Sequence, residues 1–149
     1  LSFYRKRRTN MKIAIDFDGT LVEHKFPKIG EKKLFAFETL HELQKRGDQL
    51  ILWTYRTGDL LDEAVEFCRQ NGIEFYAINR NYPEEVFDET QVSRKIDADI
   101  YIDDKGVEFG GEIDWSKICS ILKIGTMDDS SANYGKKHKK SFFSKILEK

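Results

Sequence analysis

Four carboxylates in this sequence stand where they could act together. Asp16 and Asp18 lie two residues apart at the end of the apolar segment that begins at Lys12, and Asp103 and Asp104 end a second apolar segment. Like charges brought close together repel and shift each other's pKa values strongly, so such a cluster is costly without a counter-ion. A hard divalent cation meets that need, and Mg²⁺ suits a site of few carboxylates with water and phosphate oxygens. The four residues therefore predict a site for a hard divalent cation such as Mg²⁺.

Thr54 and Lys95 are expected to join this group. Thr54 ends the apolar segment that begins at Gln49, and Lys95 stands eight residues before Asp103. In open α/β sheets, ligands bind at the edge where the carboxyl ends of the parallel strands meet. We therefore expect the hydroxyl, the ammonium group and the four carboxylates to converge on that edge.

Segments with the pattern of strands alternate with segments that have the pattern of helices. Short apolar runs predict four strands, over 12–16, 49–54, 73–78 and 99–103. Apolar residues at helical spacing predict three helices, over 31–46, 59–70 and 114–122. Gly47 is expected to end the first helix, and Asp114 to cap the last. The order predicts an α/β fold with a Rossmann-like, open, mainly parallel sheet and helices on both of its faces.

Charge divides the chain of 149 residues into three parts. Residues 1–10 carry four basic and no acidic residues, residues 126–149 carry a net charge of +3, and residues 11–125 carry a net charge of −8. We expect a basic leader over 1–10 outside the fold, one domain over 11–125 and a Lys-rich tail over 126–149. The acidic domain is a poor electrostatic match for nucleic acid unless a cation intervenes.

Several classes of protein are excluded by composition. No apolar run approaches the roughly 18 residues that a membrane span needs, so we expect no membrane partner. The chain has two cysteines, Cys68 and Cys119, and both fall in predicted helices, which favours buried reduced thiols. A cytoplasmic protein is the expectation that follows.

The four carboxylates, Thr54 and Lys95 resemble the four motifs of the haloacid dehalogenase (HAD) superfamily of phosphohydrolases. The resemblance covers about residues 11–124. The pattern DxDGT after an apolar strand, a strand ending in Thr, a Lys ahead of the last core strand and an acidic pair closing that strand are all present in the right order. They are, in turn, Asp16, Asp18, Gly19 and Thr20, then Thr54, then Lys95, then Asp103 and Asp104.

The resemblance implies a Mg²⁺-dependent phosphatase that hydrolyses phosphomonoesters through an aspartyl phosphate. Asp16 would be the nucleophile, because a carboxylate is a competent covalent catalyst. Asp18 would protonate the leaving oxygen and later deprotonate water. Thr54 would contact a phosphate oxygen, and Lys95 would neutralise the phosphate and the Asp16 carboxylate.

The resemblance also implies the metal ligands. Asp16, the backbone carbonyl of Asp18 and one member of the last acidic pair would hold Mg²⁺. The family pattern favours Asp104 as the direct ligand, with Asp103 acting through water.

The spacing of the motifs leaves no room for the cap domain that many HAD enzymes carry. Asp18 and Thr54 are 36 residues apart, and Thr54 and Lys95 are 41 residues apart. Capless relatives act on exposed phosphorylated substrates, small or macromolecular, or borrow cover from a partner subunit, so a homo-oligomer is also compatible. The segments 21–33 and 79–90 are the expected rim of the site.

Two other interpretations stay open. The chain could be a nucleic-acid end phosphatase whose basic ends contact phosphates, or a non-catalytic binding module with the HAD fold. Two further residues have ambiguous roles: Arg56 could contact substrate or form a surface ion pair, and His24 could touch substrate near the entrance.

Overall fold

The computed structural model describes residues 10–124. The predicted Lys-rich tail and, apart from Asn10, the predicted basic leader lie outside the described residues. Helices and strands follow one another in this order: β1 (Lys12–Ile15), α1 (Ala36–Arg46), β2 (Gln49–Leu52), α2 (Gly58–Gln70), β3 (Ala77–Ile78), β4 (Ile100–Ile102) and α3 (Trp115–Ile121).

The four strands form one sheet in which every pair of neighbours is parallel. Their order is β3-β2-β1-β4, so β1 lies between β2 and β4. Ile15, the last residue of β1, lies opposite Leu52 in β2 and Ile102 in β4. The predicted open, mainly parallel sheet is confirmed, and the residues that follow these three strands meet at one edge.

All three helices pack against the same face of the sheet. Ile13 and Leu50 on this face share one apolar cluster with Leu40 of α1, Cys68 of α2 and Trp115 of α3. Right-handed crossovers explain the shared face of α1 and α2, because β1, β2 and β3 follow one another in one direction across the sheet. α3 follows the last strand and packs on the same face through Trp115. The prediction of helices on both faces is therefore wrong for the described residues.

The opposite face is covered by the connection from β3 to β4. Ala14, Ile51 and Ala77 form a second apolar cluster with Ile96 of that connection. Since the chain reverses its direction across the sheet between β3 and β4, a right-handed crossover passes over this second face. Residues 79–99 make the crossing without a helix or a strand.

Some predicted elements are shorter in the structure, although their caps are as expected. α1 begins at Ala36, directly after Phe35, whose φ of 67° lies in the left-handed region and interrupts a helix. β3 keeps only the last two residues of the predicted strand. Gly47 ends α1 with a φ of 96°, and the Asp114 side chain accepts a hydrogen bond from Lys117 N in α3.

Both cysteines are buried and free, as predicted. Burial raises the pKa of the Cys68 thiol to about 12, so this thiol stays protonated and unreactive. Across residues 10–124, no helix combines the length and the apolar content that a membrane crossing requires.

Candidate functional site

The loop after β1 is a tight turn that carries Asp16 and Asp18. Asp16 N donates a hydrogen bond of 3.0 Å to Ile102 O, which holds the start of the loop against β4. Gly19 has a φ of 81°, and a Cβ atom there would lie 2.9 Å from Cγ of Asp104. Glycine at this position therefore lets the loop after β1 pack against the acidic pair that follows β4.

Three of the four predicted carboxylates come together at this edge. Oxygen atoms of Asp16, Asp103 and Asp104 all lie within 4.8 Å of one another, and we call these residues the acidic cluster. The Thr20 hydroxyl lies between two of them, 2.9 Å from Oδ2 of Asp16 and 3.2 Å from Oδ1 of Asp104. The same hydroxyl accepts a hydrogen bond of 3.0 Å from Asp104 N, so Thr20 fixes the spacing of the cluster.

The carboxylates of the acidic cluster repel one another electrostatically. Burial raises the pKa of Asp16 to about 7, and the negative charges of Asp103 and Asp104 add to the rise. Hydrogen bonds from the Thr20 side chain and the Phe17 backbone oppose the rise without cancelling it. A cation among these oxygens would remove the repulsion, and a donor set made only of oxygen atoms suits a hard divalent cation.

Under the hypothesis that Asp16 is a ligand for Mg²⁺, its raised pKa predicts a pH-dependent affinity for the ion. Below about pH 7, Asp16 binds a proton that the cation must displace; above it, the carboxylate is free to bind. We expect the affinity to level off above pH 7 and to fall by up to about tenfold for each pH unit below it. Isothermal titration calorimetry in buffers of different ionisation enthalpy measures both the affinity and the released proton.

The matched variants for this titration are Asp16→Asn and Asp62→Asn. Asp62 is exposed on α2, so its amide should leave the pH dependence unchanged. Asp16→Asn should weaken Mg²⁺ binding and flatten its pH dependence near pH 7, because the titrating ligand is gone. An affinity that does not change across pH 7 in the unsubstituted protein would contradict the prediction.

Asp18 lies outside the acidic cluster and is paired with Arg56. Oδ2 and Oδ1 of Asp18 accept hydrogen bonds from Nε and Nη2 of Arg56, each at 2.8 Å. This bidentate geometry is the strongest form of arginine–carboxylate pairing. Of the two roles expected for Arg56, the structure therefore favours an ion pair, although a buried one, because the side chain of Arg56 is inaccessible to solvent.

Every remaining N–H group of the Arg56 guanidinium is also satisfied. Nη2 donates to Lys28 O at 3.0 Å, and Nη1 donates to Pro27 O at 3.0 Å and to Leu60 O at 3.4 Å. The guanidinium carbon also lies 5.3 Å from the centroid of the Phe26 ring. Arg56 thus joins the acid/base candidate Asp18 to the rim segment 21–33 and to the start of α2.

Thr54 occupies the turn between β2 and α2. Its hydroxyl oxygen accepts a hydrogen bond of 3.2 Å from Arg56 N, and Thr54 N donates one of 2.8 Å to Oδ1 of Asn79. Asn79, which directly follows β3, also donates from Nδ2 to Arg56 O at 3.4 Å. Sequence reasoning placed Asn79 in the rim segment 79–90 but gave it no role of its own, although its position after a strand at the same edge was the available signal.

A cleft of about 520 Å³ opens at this edge of the sheet. The residues that line it come from the ends of β1, β2 and β4 and from the rim segment 21–33. They are Asp16, Asp18, His24, Phe26, Trp53, Thr54, Tyr55, Asp103 and Lys105. Asp16 and Asp18, the two predicted catalytic carboxylates, therefore share one cleft with Thr54 and His24. The expected rim segment 79–90 contributes none of the lining residues.

The cationic residue of the cleft differs from the one expected from the sequence. Lys95 is exposed and does not line the cleft; its Nζ atom lies 5.5 Å from the centroid of the Tyr101 ring. Lys105 does line the cleft, and its backbone N donates to Oδ1 of Asp103 at 2.8 Å. Its position directly after the acidic pair was a signal that sequence reasoning did not use.

The fold and the cleft define an α/β protein with an acidic site at the carboxyl ends of parallel strands. No protein-family model matches the chain, and no curated protein matches it. A solved structure of a conserved protein encoded by a locus of Bacteroides thetaiotaomicron is similar, with 52% sequence identity and a TM-score of 0.70. The match covers 79% of this chain and 93% of that one, so the chain belongs to the same family. The description of that protein names no activity.

Proposed function

We propose that this protein is a Mg²⁺-dependent phosphomonoester hydrolase of the HAD type. One observation carries the proposal: Asp16 and Asp18, two residues apart, line the same cleft in different surroundings. Asp16 belongs to the acidic cluster, whereas Asp18 accepts two hydrogen bonds from Arg56. Two carboxylates with separate environments support separate roles, one as nucleophile and the other in proton transfer.

The proposed reaction has two steps. An oxygen of Asp16 attacks phosphorus, and the bond between phosphorus and the alcohol oxygen breaks while Asp18 donates a proton to that oxygen. Asp18 then takes a proton from water, whose oxygen attacks phosphorus and releases inorganic phosphate and the Asp16 carboxylate. Bound Mg²⁺ supplies the positive charge that lets an anionic phosphate approach the acidic cluster.

The pairing of Asp18 with Arg56 is compatible with proton transfer. A carboxylate offers about four lone-pair positions, and a bidentate arginine occupies one on each oxygen. The other position on each oxygen of Asp18 is left for the leaving group or for water. Thr54, whose hydroxyl lines the same cleft, is proposed to contact a phosphate oxygen.

Removal of the metal tests the proposal most directly. Hydrolysis of p-nitrophenyl phosphate should require added Mg²⁺ and should stop in EDTA, because the acidic cluster repels an anionic phosphate. Re-addition of Mg²⁺ in excess of EDTA should restore turnover, which controls for irreversible damage. Undiminished hydrolysis in EDTA would refute the proposed role of the metal. Mg²⁺ binding without hydrolysis of any phosphomonoester would favour a binding module instead.

Lys105 and Lys95 form a matched pair for a second test. Both side chains are exposed, so neither replacement should perturb folding, but only Lys105 lines the cleft. We expect Lys105→Met to lower kcat/KM by more than Lys95→Met does, because it removes a cation from the cleft that is proposed to receive the phosphate. Lys95→Met should change kcat/KM by less than about twofold. A larger loss of kcat/KM in Lys95→Met than in Lys105→Met would instead support Lys95 as the residue that neutralises the phosphate, as the resemblance implies.

A further inference from the structure

We infer that the cleft selects phosphomonoesters whose alcohol portion carries a planar aromatic ring, an inference that rests on the proposed function. Three of the residues that line the cleft are large aromatic side chains, and they share it with Asp16 and Asp18. We call Phe26, Trp53 and Tyr55 the aromatic wall. The wall belongs to the proposed catalytic cleft itself, so a ring that contacts it would be part of the same molecule as the reacting phosphate.

The Phe26 ring packs against the Arg56 guanidinium. Its centroid lies 5.3 Å from the guanidinium carbon of Arg56, and Arg56 also donates to the carbonyl of Pro27, the next residue in the chain. The ring nevertheless remains 45% exposed. Phe26 therefore presents an aromatic surface whose backbone and ring are both fixed by a buried cation.

Trp53 and Tyr55 are fixed by the backbone on either side of Thr54. Trp53 N donates a hydrogen bond of 2.8 Å to Ile15 O, which extends the pairing of β2 with β1, and the side chain packs partly against the second apolar cluster. Tyr55 lies in the turn that the Thr54 hydroxyl closes on Arg56 N, and it is 96% exposed. The ring packs against little of the protein, so most of its surface is available to contact a molecule bound in the cleft.

The dimensions of the cleft also favour a substrate larger than phosphate. The volume of about 520 Å³ lies within the range of roughly 300–1,000 Å³ that small-molecule sites occupy. Stacking of a base on an aromatic side chain strengthens binding by roughly 5- to 150-fold. Phe26, beside Arg56, and Trp53, packed on the second apolar cluster, are held before a base arrives, so little of their gain is lost to ordering. Phosphomonoesters without an aromatic ring, such as sugar phosphates, do not gain base stacking.

The test compares adenosine 5′-monophosphate with ribose 5-phosphate. Both substrates release phosphate from a primary alcohol of ribose, so their leaving groups are alike and the difference in kcat/KM reports recognition of the base. We expect a preference of roughly 5- to 150-fold for the nucleotide, expressed mainly in KM. Tyr55→Ser should lower kcat/KM for the nucleotide and leave that for ribose 5-phosphate unchanged. Phe87→Ser removes an exposed ring that does not line the cleft, and it should leave both values unchanged.

Failure of this inference is distinguishable from failure of the proposed function. Equal kcat/KM values for the two substrates, or equal effects of Tyr55→Ser on both, would overturn the aromatic preference while hydrolysis itself remained. If neither compound is hydrolysed, equilibrium binding of the same two compounds in the presence of Mg²⁺ decides the question. Tighter binding of the nucleotide that Tyr55→Ser abolishes would uphold the inference, and equal binding would overturn it.

Discussion

Asp16→Asn is expected to abolish hydrolysis of an activated aryl phosphate and to form no phosphorylated protein. Asp18→Asn, in contrast, is expected to accumulate the phosphorylated protein. Both substitutions replace a carboxylate by an amide of nearly the same shape. The amide of Asp16→Asn cannot attack phosphorus, so no covalent intermediate forms. Asp18→Asn keeps the nucleophile but loses the group that deprotonates water, and removal of an acid/base residue slows a step by roughly 10²–10⁴-fold.

The measurement is the mass of the intact protein after a rapid acid quench, followed by peptide mapping. An activated ester is needed because its leaving group departs without a proton, so the first step survives in Asp18→Asn. A phosphate adduct on Asp18→Asn that maps to Asp16 supports covalent catalysis. Asp62→Asn, on the exposed surface of α2, is the control and should behave as the unsubstituted protein does. Full activity in Asp16→Asn would refute the nucleophile and favour direct attack by water.

Arg56→Met is expected to cost both stability and turnover. Loss of one partner from a buried ion pair leaves the other charge uncompensated, which costs about 3–5 kcal/mol in the free energy of unfolding. Arg56 is 1% exposed and makes two bonds of 2.8 Å to Asp18, so it meets the condition for a loss of that size. Turnover should fall by at most the roughly 10²–10⁴-fold expected for Asp18 itself, because Arg56 acts by positioning Asp18.

A double-mutant cycle separates positioning from general destabilisation. If Arg56 acts through Asp18, then Arg56→Met should lower kcat little further in an Asp18→Asn background, although each single substitution lowers it strongly. The loss in Arg56→Met should also be larger for an alkyl phosphate, whose leaving oxygen needs a proton, than for an activated aryl phosphate. Equal losses for both esters, or additive losses in the double variant, would contradict a positioning role.

Two further variants complete the experiment on Arg56. Arg56→Lys keeps the charge but cannot form two parallel hydrogen bonds, so it should recover part of the stability and less of the turnover. Arg69→Met removes a comparable pair on the surface, where Nε and Nη2 of Arg69 lie 2.7 and 2.6 Å from oxygens of Glu66. Because solvent screens that exposed pair, the loss of stability should be far smaller than in Arg56→Met, with no change in turnover.

The sequence by itself determined the order of the helices and strands and three of the four carboxylates that meet at the site. Apolar runs that end in Asp16, Thr54 and Asp103 place chemistry at the carboxyl ends of strands, and the alternation of strands with helices makes those ends meet. The acidic cluster follows from that arrangement. Caps are equally local, so Gly47 and Asp114 were predicted correctly from their neighbours alone.

Only the tertiary structure decided which side chains face one another across long distances in the sequence. Arg56 meets Asp18 across 38 positions because the turn after β2 lies beside the loop after β1, which the order of the strands in the sheet sets. The same order puts α1 and α2 on one face and sends residues 79–99 across the other. Lys105, which follows β4, lines the cleft at the carboxyl ends of the strands, whereas Lys95 lies in the segment 79–99 that crosses the other face. Periodicity reports how a segment packs within itself, whereas the direction of each crossover and the contacts between separate loops depend on the whole sheet.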